Sequence, residues 1–179
     1  MKLFVQTLVL LAAAPFAYGT EPASPYVGEE TREIKALAPA QIEGLLAGRG
    51  LGYAKAAELN GYPGPAHVLE LASELKLSEA QLSATRALHS RMEEEAKALG
   101  ARVVAAEAAL EQGFRDGSVS EASLESSLGE IARLQAQLRA VHLVAHLEQR
   151  RLLSPEQVER YVHLRGYRGA GHARPGHGH

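Results

Sequence analysis

The sequence predicts an all-α protein built on one long antiparallel helical hairpin. Between residues 78 and 152, apolar residues recur at steps of three and four, which is the spacing of one buried helical face. Asp116-Gly117-Ser118 interrupts this run once, and a glycine-containing break between two amphipathic helices is typical of a helical hairpin. Since the chain has 179 residues, no Trp and only 5% aromatic residues, we expect a single domain with a core of Leu, Ala and Val.

Each arm of the predicted hairpin carries one apolar stripe. We predict the arms as helices from about Glu79 to Phe114 and from about Glu121 to Leu152, with both stripes buried. The first stripe comprises Leu88, Met92, Leu99, Val103, Ala106, Leu110 and Phe114, and the second comprises Leu124, Leu128, Ile131, Leu134, Leu138, Val141, Ala145 and Leu152.

Residues 1–19 are typical of a secretory signal peptide. Lys2 provides the positive start, residues 3–14 form an apolar run, and Ala17-Tyr18-Gly19 fits the small-x-small cleavage pattern. The run is shorter than the roughly 20 apolar residues that span a bilayer, so we expect cleavage and no membrane span afterwards. The chain has no cysteine for a lipid anchor, a disulfide or a thiolate metal ligand, so the product is expected to be a soluble periplasmic protein.

Shorter helices are expected before the hairpin. Residues 20–38 contain Pro and Glu without periodicity and are predicted to be a disordered lead-in. The helical domain is predicted to span residues 39–165. Its first helix opens at Pro39 and ends at Gly48 or Gly50, residues 52–60 add a turn or two, and residues 67–75 form a helix after a Pro- and Gly-rich corner. The Gly- and His-rich residues 166–179 are predicted to be a disordered tail.

Two capping boxes flank the hairpin. In Leu77-Ser78-Glu79-Ala80-Gln81, the Ser78 hydroxyl can accept the Gln81 backbone N–H while the Gln81 side chain reaches back. The same device recurs at Leu153-Ser154-Pro155-Glu156-Gln157, where Pro155 takes the first helical position. The second box therefore predicts a last helix from Pro155 to about Leu164.

These two Leu-Ser-x-x-Gln segments resemble the signatures of the LTxxQ family. That family includes the Spy and CpxP periplasmic stress proteins, the zinc resistance-associated proteins and the periplasmic heavy-metal sensors of nickel/cobalt resistance. The resemblance covers roughly Leu37 to Tyr167, with Ser in place of the usual Thr, which keeps the capping hydroxyl. It implies a curved protomer that forms a cradle-shaped homodimer through its long hairpins. It leaves the function open, because family members hold unfolding proteins, restrain a sensor kinase or bind metal.

The positions of the histidines discriminate between these functions. If the hairpin turns near Ser118, His89 lies as far before the turn as residue 147 lies after it, next to His146. His142 is one helical turn from His146, and such a pair shares a helix face.

The same count applies to the two flanking helices. His67 lies about as far before the corner at residues 77–78 as His89 lies after it, so three helices bring His67, His89 and the His142/His146 pair to one level. His163, folded back across the corner near Leu153, falls close to His142.

Converging neutral imidazoles suit zinc, nickel, cobalt or copper(II). The resemblance adds that, by motif offset, His89 falls on the mid-helix carboxylate ligand of the nickel/cobalt sensors, His142 on their late histidine and His146 on their sulfur ligand. His67 matches the first ligand with a one-residue shift. We therefore predict these four histidines as ligands of a divalent transition metal. Each histidine alone is more often a packed or solvated residue, and an all-imidazole set leaves the identity of the metal open.

The predicted tail is a second candidate metal site. It carries His172, His177 and His179 in an irregular tract, and short His-rich tracts bind metal without a folded site.

Other classes of function find little support. The net charge of −2 argues against a nucleic-acid surface, which needs a basic face. No catalytic triad order, phosphate loop or HExxH motif is present, so we do not expect an enzyme. Two hypotheses remain. The first is a metal-binding sensor or resistance protein whose helix packing a partner reads. The second is a Spy/CpxP-like chaperone or envelope-stress modulator that binds unfolding client proteins.

Overall fold

The computed structural model describes residues 24–167 of the chain. The chain divides into two compact units, Met1–Thr31 and Arg32–His179, and the described part of the first, residues 24–31, is a series of turns. The second unit holds six helices in its described part, which contains no strand: α1 (Pro39–Leu46), α2 (Lys55–Glu58), α3 (Pro65–Glu70), α4 (Glu79–Arg115), α5 (Glu121–Leu152) and α6 (Pro155–Leu164). The predicted all-α class is thus confirmed. The predicted signal peptide and residues 168–179 of the predicted tail lie outside the described residues.

The two longest helices, α4 and α5, pack together as the predicted hairpin. Gly117 has a φ of +63° in the turn between them, a conformation that a side chain would strain. Leu88, Val103, Leu134 and Leu138 of the two stripes are buried. With 37 residues, α4 is about 55 Å long at the rise of an α-helix.

The prediction that both stripes are buried throughout is wrong near the hairpin turn. Phe114 remains 60% exposed and Leu128 remains 49% exposed. Two packed helices bury only the side chains along their line of contact, and these two residues lie off that line. The stripe at the other end is covered more fully because the shorter helices pack there.

Helix α1 crosses α4 at very close range. A Cβ at Gly100 would lie 2.0 Å from the Leu45 carbonyl oxygen, so only glycine permits this crossing. As predicted, α1 stops at Gly48, whose φ is +66°, and the Arg49 N–H bonds back to the Gly44 carbonyl in a Schellman motif. This turn directs residues 47–50 across α4.

Part of the predicted disordered lead-in packs against the helices. Ile34 and Leu37 are buried in the same core cluster as Leu45 of α1 and Val103 of α4. Lys35 forms an ion pair with Glu111 of α4, 2.5 Å from Nζ to Oε1. The two apolar residues are too few to show periodicity, which is why the sequence did not reveal their burial.

Helix α3 begins two residues before the predicted start and ends five residues before the predicted end. Pro65 occupies its first position, where the missing N–H costs nothing. Beyond Glu70 the chain continues in turns, because the Ala72 N–H bonds to the carbonyl of Leu69 instead of that of Val68. The turns end at Lys76, whose φ of +53° stops any helix.

Both predicted capping boxes are present, and they also contact each other. The Gln81 N–H donates to Ser78 Oγ at 3.2 Å, and the Gln157 N–H donates to Ser154 Oγ at the same distance. In addition, Gln81 Nε2 donates to Gln157 Oε1 at 2.8 Å, and Gln157 Nε2 donates to Gln81 Oε1 at 3.1 Å. This reciprocal amide pair joins the start of α4 to the start of α6.

None of the helices in residues 24–167 is long and apolar enough to cross a membrane.

Candidate metal centre

Four histidines from three helices line one cavity of about 350 Å³. His67 comes from α3, His89 from α4, and the pair His142 and His146 from α5. The hairpin turn places His89 level with the α5 pair, and the corner between α3 and α4 returns His67 to the same level. The loop at residues 47–50, after α1, lies over the cavity and contributes to its lining. The structure thus brings together the four histidines that the sequence count placed at one level.

His142 is the most deeply buried of the four, with 3% of its surface exposed. Its Nε2 atom is buried and has no hydrogen-bond partner. Its ring stacks on Tyr53, with the ring centres 6.0 Å apart and the planes at 11°. Burial, and then the nearby charge of His146, hold the pKa of His142 below its usual value. The ring is therefore neutral at pH 7, and a neutral imidazole with an unpaired nitrogen is the form that binds a metal ion.

His146 is held in one tautomer by the backbone. Its Nδ1 lies 2.7 Å from the Tyr62 carbonyl oxygen. Because a carbonyl only accepts, Nδ1 carries the proton and the neutral ring keeps its lone pair on Nε2. Gly64 packs against this ring so closely that a Cβ there would lie 3.0 Å from Nε2. Metal-bound histidines commonly donate their second nitrogen to a carbonyl in this way.

His89 is less confined. Its side chain is 31% exposed, and its Nδ1 lies 3.9 Å from Glu93 Oε2, one turn along α4. Lys97 holds the pKa of Glu93 below its usual value through a hydrogen bond and its charge, so the carboxylate is ionised at pH 7. Met92 also lines the cavity and is only partly buried. Its thioether and the Glu93 carboxylate are thus further donors beside the imidazoles.

His67 differs from the α5 pair because both of its nitrogens have partners. Nδ1 lies 3.3 Å from Glu58 Oε1 and 3.3 Å from the Tyr161 hydroxyl, and Nε2 lies 3.5 Å from Arg165 Nη2. A carboxylate only accepts and a guanidinium only donates, so the neutral ring carries its proton on Nδ1. Nε2, the nitrogen that would have to bind a metal, therefore accepts from the Arg165 guanidinium.

Glu58 is a buried residue that the sequence reading missed. It is 8% exposed and accepts hydrogen bonds from Tyr161 at 2.5 Å, from Tyr167 at 2.9 Å and from the Gly64 N–H at 3.2 Å. Its Oε2 also lies 3.7 Å from His146 Nδ1. The Glu58 carboxylate therefore lies beside two of the cavity histidines, His67 and His146. It also accepts hydrogen bonds from two tyrosines near the end of the described chain.

The sequence offered only weak signals for this network. Helix α2 has four residues, which is too short for periodicity to show which side of it is buried. Tyr161, which is fully buried, follows Val158 by three residues on α6, and a buried phenol needs a hydrogen-bond partner. Burial and the hydrogen bond to Glu58 raise the pKa of Tyr161 far above its usual value, so its hydroxyl stays protonated and donates.

The remaining predicted histidines lie elsewhere. His163 is exposed in the last turn of α6 and is not among the residues that line the cavity. His172, His177 and His179 lie outside the described residues. Within residues 24–167, no group of three or more His, Cys, Asp or Glu side chains is already arranged to hold a metal ion. To hold an ion, the cavity side chains would therefore have to change rotamer, and His89 is partly exposed, with only the 3.9 Å contact to Glu93 to restrain its ring.

Comparison with known proteins found no matching family model, no similar curated protein and no similar solved structure. The resemblance to the LTxxQ family therefore remains a prediction from the two capping motifs.

Proposed function

We propose that this protein binds a divalent transition metal ion, zinc, nickel, cobalt or copper, in the cavity of the four histidines. The observation that carries the proposal is the buried, unpaired Nε2 of His142 in a cavity that three further histidines line. A buried polar atom without a partner costs about 1–3 kcal/mol, and a metal ion bound there would remove that cost. The role we infer is that of a periplasmic protein of heavy-metal sensing or resistance.

His142 and His146 form the fixed part of the proposed site. They are one turn apart on α5. Burial lowers the pKa of His142, whose buried Nε2 has no partner, and the Tyr62 carbonyl accepts the Nδ1 proton of His146, which leaves Nε2 of the neutral ring to bind the ion. His89 rotates to complete the set, and His67 is the fourth donor. Because these residues belong to three helices, metal binding would change how α3, α4 and α5 pack, and a partner protein would read that change.

Calorimetric titration of the untagged chain with zinc, nickel and copper(II) tests the proposal. His172, His177 and His179 of the tail are first changed to Ala, so that metal binding by the tail does not contribute to the measured heat. We expect this variant to bind about one ion per chain, and we expect His142→Ala combined with His146→Ala to abolish that binding. The proposal fails if the chain with these three changes binds no metal, or if binding survives the loss of both cavity histidines.

A second candidate is a chaperone that holds unfolding proteins without metal. The observation that favours it is a shallow groove on α4 and α5, about 250 Å³ in volume. Val141 and Val144 are among its apolar lining residues, and Arg91, Glu95 and Glu148 are its charged ones. Mixed apolar and charged surfaces suit varied client segments. The same groove is where we propose that two copies of the chain form a homodimer.

Aggregation assays with a chelator present test this second candidate. The chaperone is favoured if the metal-free protein suppresses the aggregation of an unfolding client protein. Changing Val144 to Glu should then abolish this suppression. Sedimentation of the same variant tests the homodimer, which the buried glutamate is expected to weaken. A V144E chain that sediments as the wild type and suppresses aggregation equally well contradicts both uses of the groove.

A further inference from the structure

We propose that Arg165 is an internal cation that competes with the metal ion for His67 and Glu58, so that metal binding releases the end of α6. This inference rests on the proposed metal site and concerns its regulation. The residues that carry it lie on α2, α3 and the C-terminal boundary of α6, and none of them belongs to the α5 histidine pair.

The contacts of Arg165 are those a bound cation would need. Its Nη2 lies 3.5 Å from His67 Nε2, and its Nε lies 3.5 Å from Glu58 Oε1. The Nε2 atom is the one acceptor nitrogen of neutral His67, because Nδ1 carries the proton. An imidazole lone pair holds either a guanidinium proton or a metal ion, so the two cations exclude each other at His67.

The negative charge of Glu58 is the second reason why Arg165 and a metal ion would compete. Glu58 is the buried carboxylate nearest the cavity histidines, 3.3 Å from His67 Nδ1 and 3.7 Å from His146 Nδ1. Neutral imidazoles do not offset the double charge of the ion, so a carboxylate close to their outer nitrogens stabilises it. In the metal-free protein Arg165 is the cation closest to that carboxylate. A metal ion takes over this role and repels the guanidinium at the same time.

The end of α6 is built around these contacts. Gly166 has a φ of +73° and turns the chain so that the Tyr167 N–H bonds back to the Val162 carbonyl. The Tyr167 hydroxyl then donates to Glu58, and the Arg165 guanidinium lies 5.8 Å from the centre of the Tyr167 ring. If Arg165 leaves His67 and Glu58, this turn loses two of the interactions that hold it against α2 and α3.

The test compares two charge-removing variants of the same helix region. Arg165→Gln removes the proposed competitor, whereas Arg160→Gln removes an equal charge from a residue whose Nε bonds to the Glu74 carbonyl, away from the cavity. Both are made in the chain with the three tail histidines changed to Ala, and zinc affinity is measured by calorimetry. We expect R165Q to bind zinc roughly tenfold more tightly than the parent chain and R160Q to bind as the parent does, while Glu58→Gln binds roughly tenfold more weakly.

Hydrogen exchange is measured on the parent chain, in which Arg165 is intact. This measurement does not depend on whether the Arg165 or Glu58 variants fold. We expect zinc to speed amide exchange in residues 163–167 while it slows exchange near His142 and His146. Equal zinc affinities for R165Q and R160Q, a weaker affinity for R165Q, or slowed exchange at residues 163–167 overturns the inference and leaves the metal site intact. A parent chain that binds no zinc overturns this inference, and a parent chain that binds neither zinc, nickel nor copper(II) overturns the proposed function as well.

Discussion

The chemistry of single residues in the cavity depends on what surrounds them. His142 and His146 are identical side chains one turn apart on α5, yet their nitrogens are held differently. Burial lowers the pKa of His142, whose ring stacks on Tyr53 and whose Nε2 is unpaired, whereas the Tyr62 carbonyl holds the proton of His146 on Nδ1.

The stability of the metal-free protein should fall below about pH 6.5, the pKa of an unfolded histidine. Since burial lowers the pKa of His142 in the folded state, the unfolded chain binds this proton first. The contribution of His142 is therefore fully present above that pH and is lost as the pH falls through the lower folded pKa. Urea unfolding at about pH 5 and about pH 7.5, with a chelator present, measures the difference. His142→Leu should reduce it, and an unchanged difference in this variant contradicts the prediction.

Changing Gly64 to Ala should displace the His146 ring. The new Cβ would lie 2.9 Å from Cε1 and 3.0 Å from Nε2 of His146, closer than carbon atoms normally approach. The Gly64 φ of −83° suits alanine, so the ring contact alone is responsible. We expect a loss of about 1–3 kcal/mol in the free energy of unfolding and a zinc affinity at least roughly tenfold weaker.

Gly129→Ala is the matched control for this substitution, because Gly129 lies within α5 and a Cβ there would meet nothing within 4 Å beyond the local backbone of its own helix. It should stabilise the helix by about 1 kcal/mol and leave zinc affinity unchanged. If G64A and G129A bind zinc equally well, His146 does not hold the metal in the way we propose.

At the scale of secondary-structure elements, the capping glutamines do more than end helices. Gln81 and Gln157 each close their own capping box, and they also bond to each other and to carbonyls of other segments, those of Leu152 and Leu75 respectively. These bonds hold the starts of α4 and α6 side by side. The corners next to the cavity are therefore kept in register by two residues that are far apart in the sequence.

A double-mutant cycle should detect this link. We expect Gln81→Ala and Gln157→Ala each to lower the free energy of unfolding by about 1–2 kcal/mol, because each leaves polar groups without a partner. Since they share hydrogen bonds, the double variant should deviate from additivity by about 0.5–3 kcal/mol. Denaturant unfolding measures all three. Ser123→Ala, in the separate capping box of α5, serves as the control and should be additive with Gln81→Ala.

For the whole molecule, the proposed site links three helices that belong to one folding unit. A metal ion held by α3, α4 and α5 binds only when these helices are packed, so it stabilises the folded state. Metal binding by the tail histidines, if it needs no folded site, would be the same in the folded and the unfolded chain and would leave stability unchanged. The change in the free energy of unfolding on adding metal therefore distinguishes the cavity from the tail better than the heat of binding does.

Zinc at a hundredfold excess over its dissociation constant should raise the free energy of unfolding by about 2.7 kcal/mol. The effect should reverse with a chelator, persist when the three tail histidines are changed to Ala, and vanish in the variant lacking the histidines at 142 and 146. Denaturant midpoints with and without zinc provide the measurement. Binding heat without a shift of the midpoint would assign the metal to the tail.

Much of the fold follows from local signals in the sequence. The predicted bounds of α5 and α6 agree with the structure, and those of α4 agree to within one residue. They follow from the apolar period, the capping serines and the glycine in the hairpin turn. Because the hairpin turn was predicted near Ser118, the distance of His89 from the turn placed it level with residue 147, next to His146. Helix geometry is regular, so residues that share a level can be found from their distance to the turn.

Contacts between distant segments decided the rest. Tyr161 and Glu58 are separated by 103 positions, and Arg165 and His67 by 98, and nothing local marks either pair. In the same way the sequence places Phe114 in an apolar stripe but does not show that this side chain stays exposed. Ile34 is an isolated apolar residue in the sequence, and nothing near it predicts its burial. Helical periodicity and capping are properties of neighbouring residues, so the sequence alone determined α4, α5 and α6 and the register of the hairpin, whereas it placed both ends of α3 wrongly. Which side chains become buried, and which cation faces His67, depends on how those helices pack, and only the tertiary structure determined that.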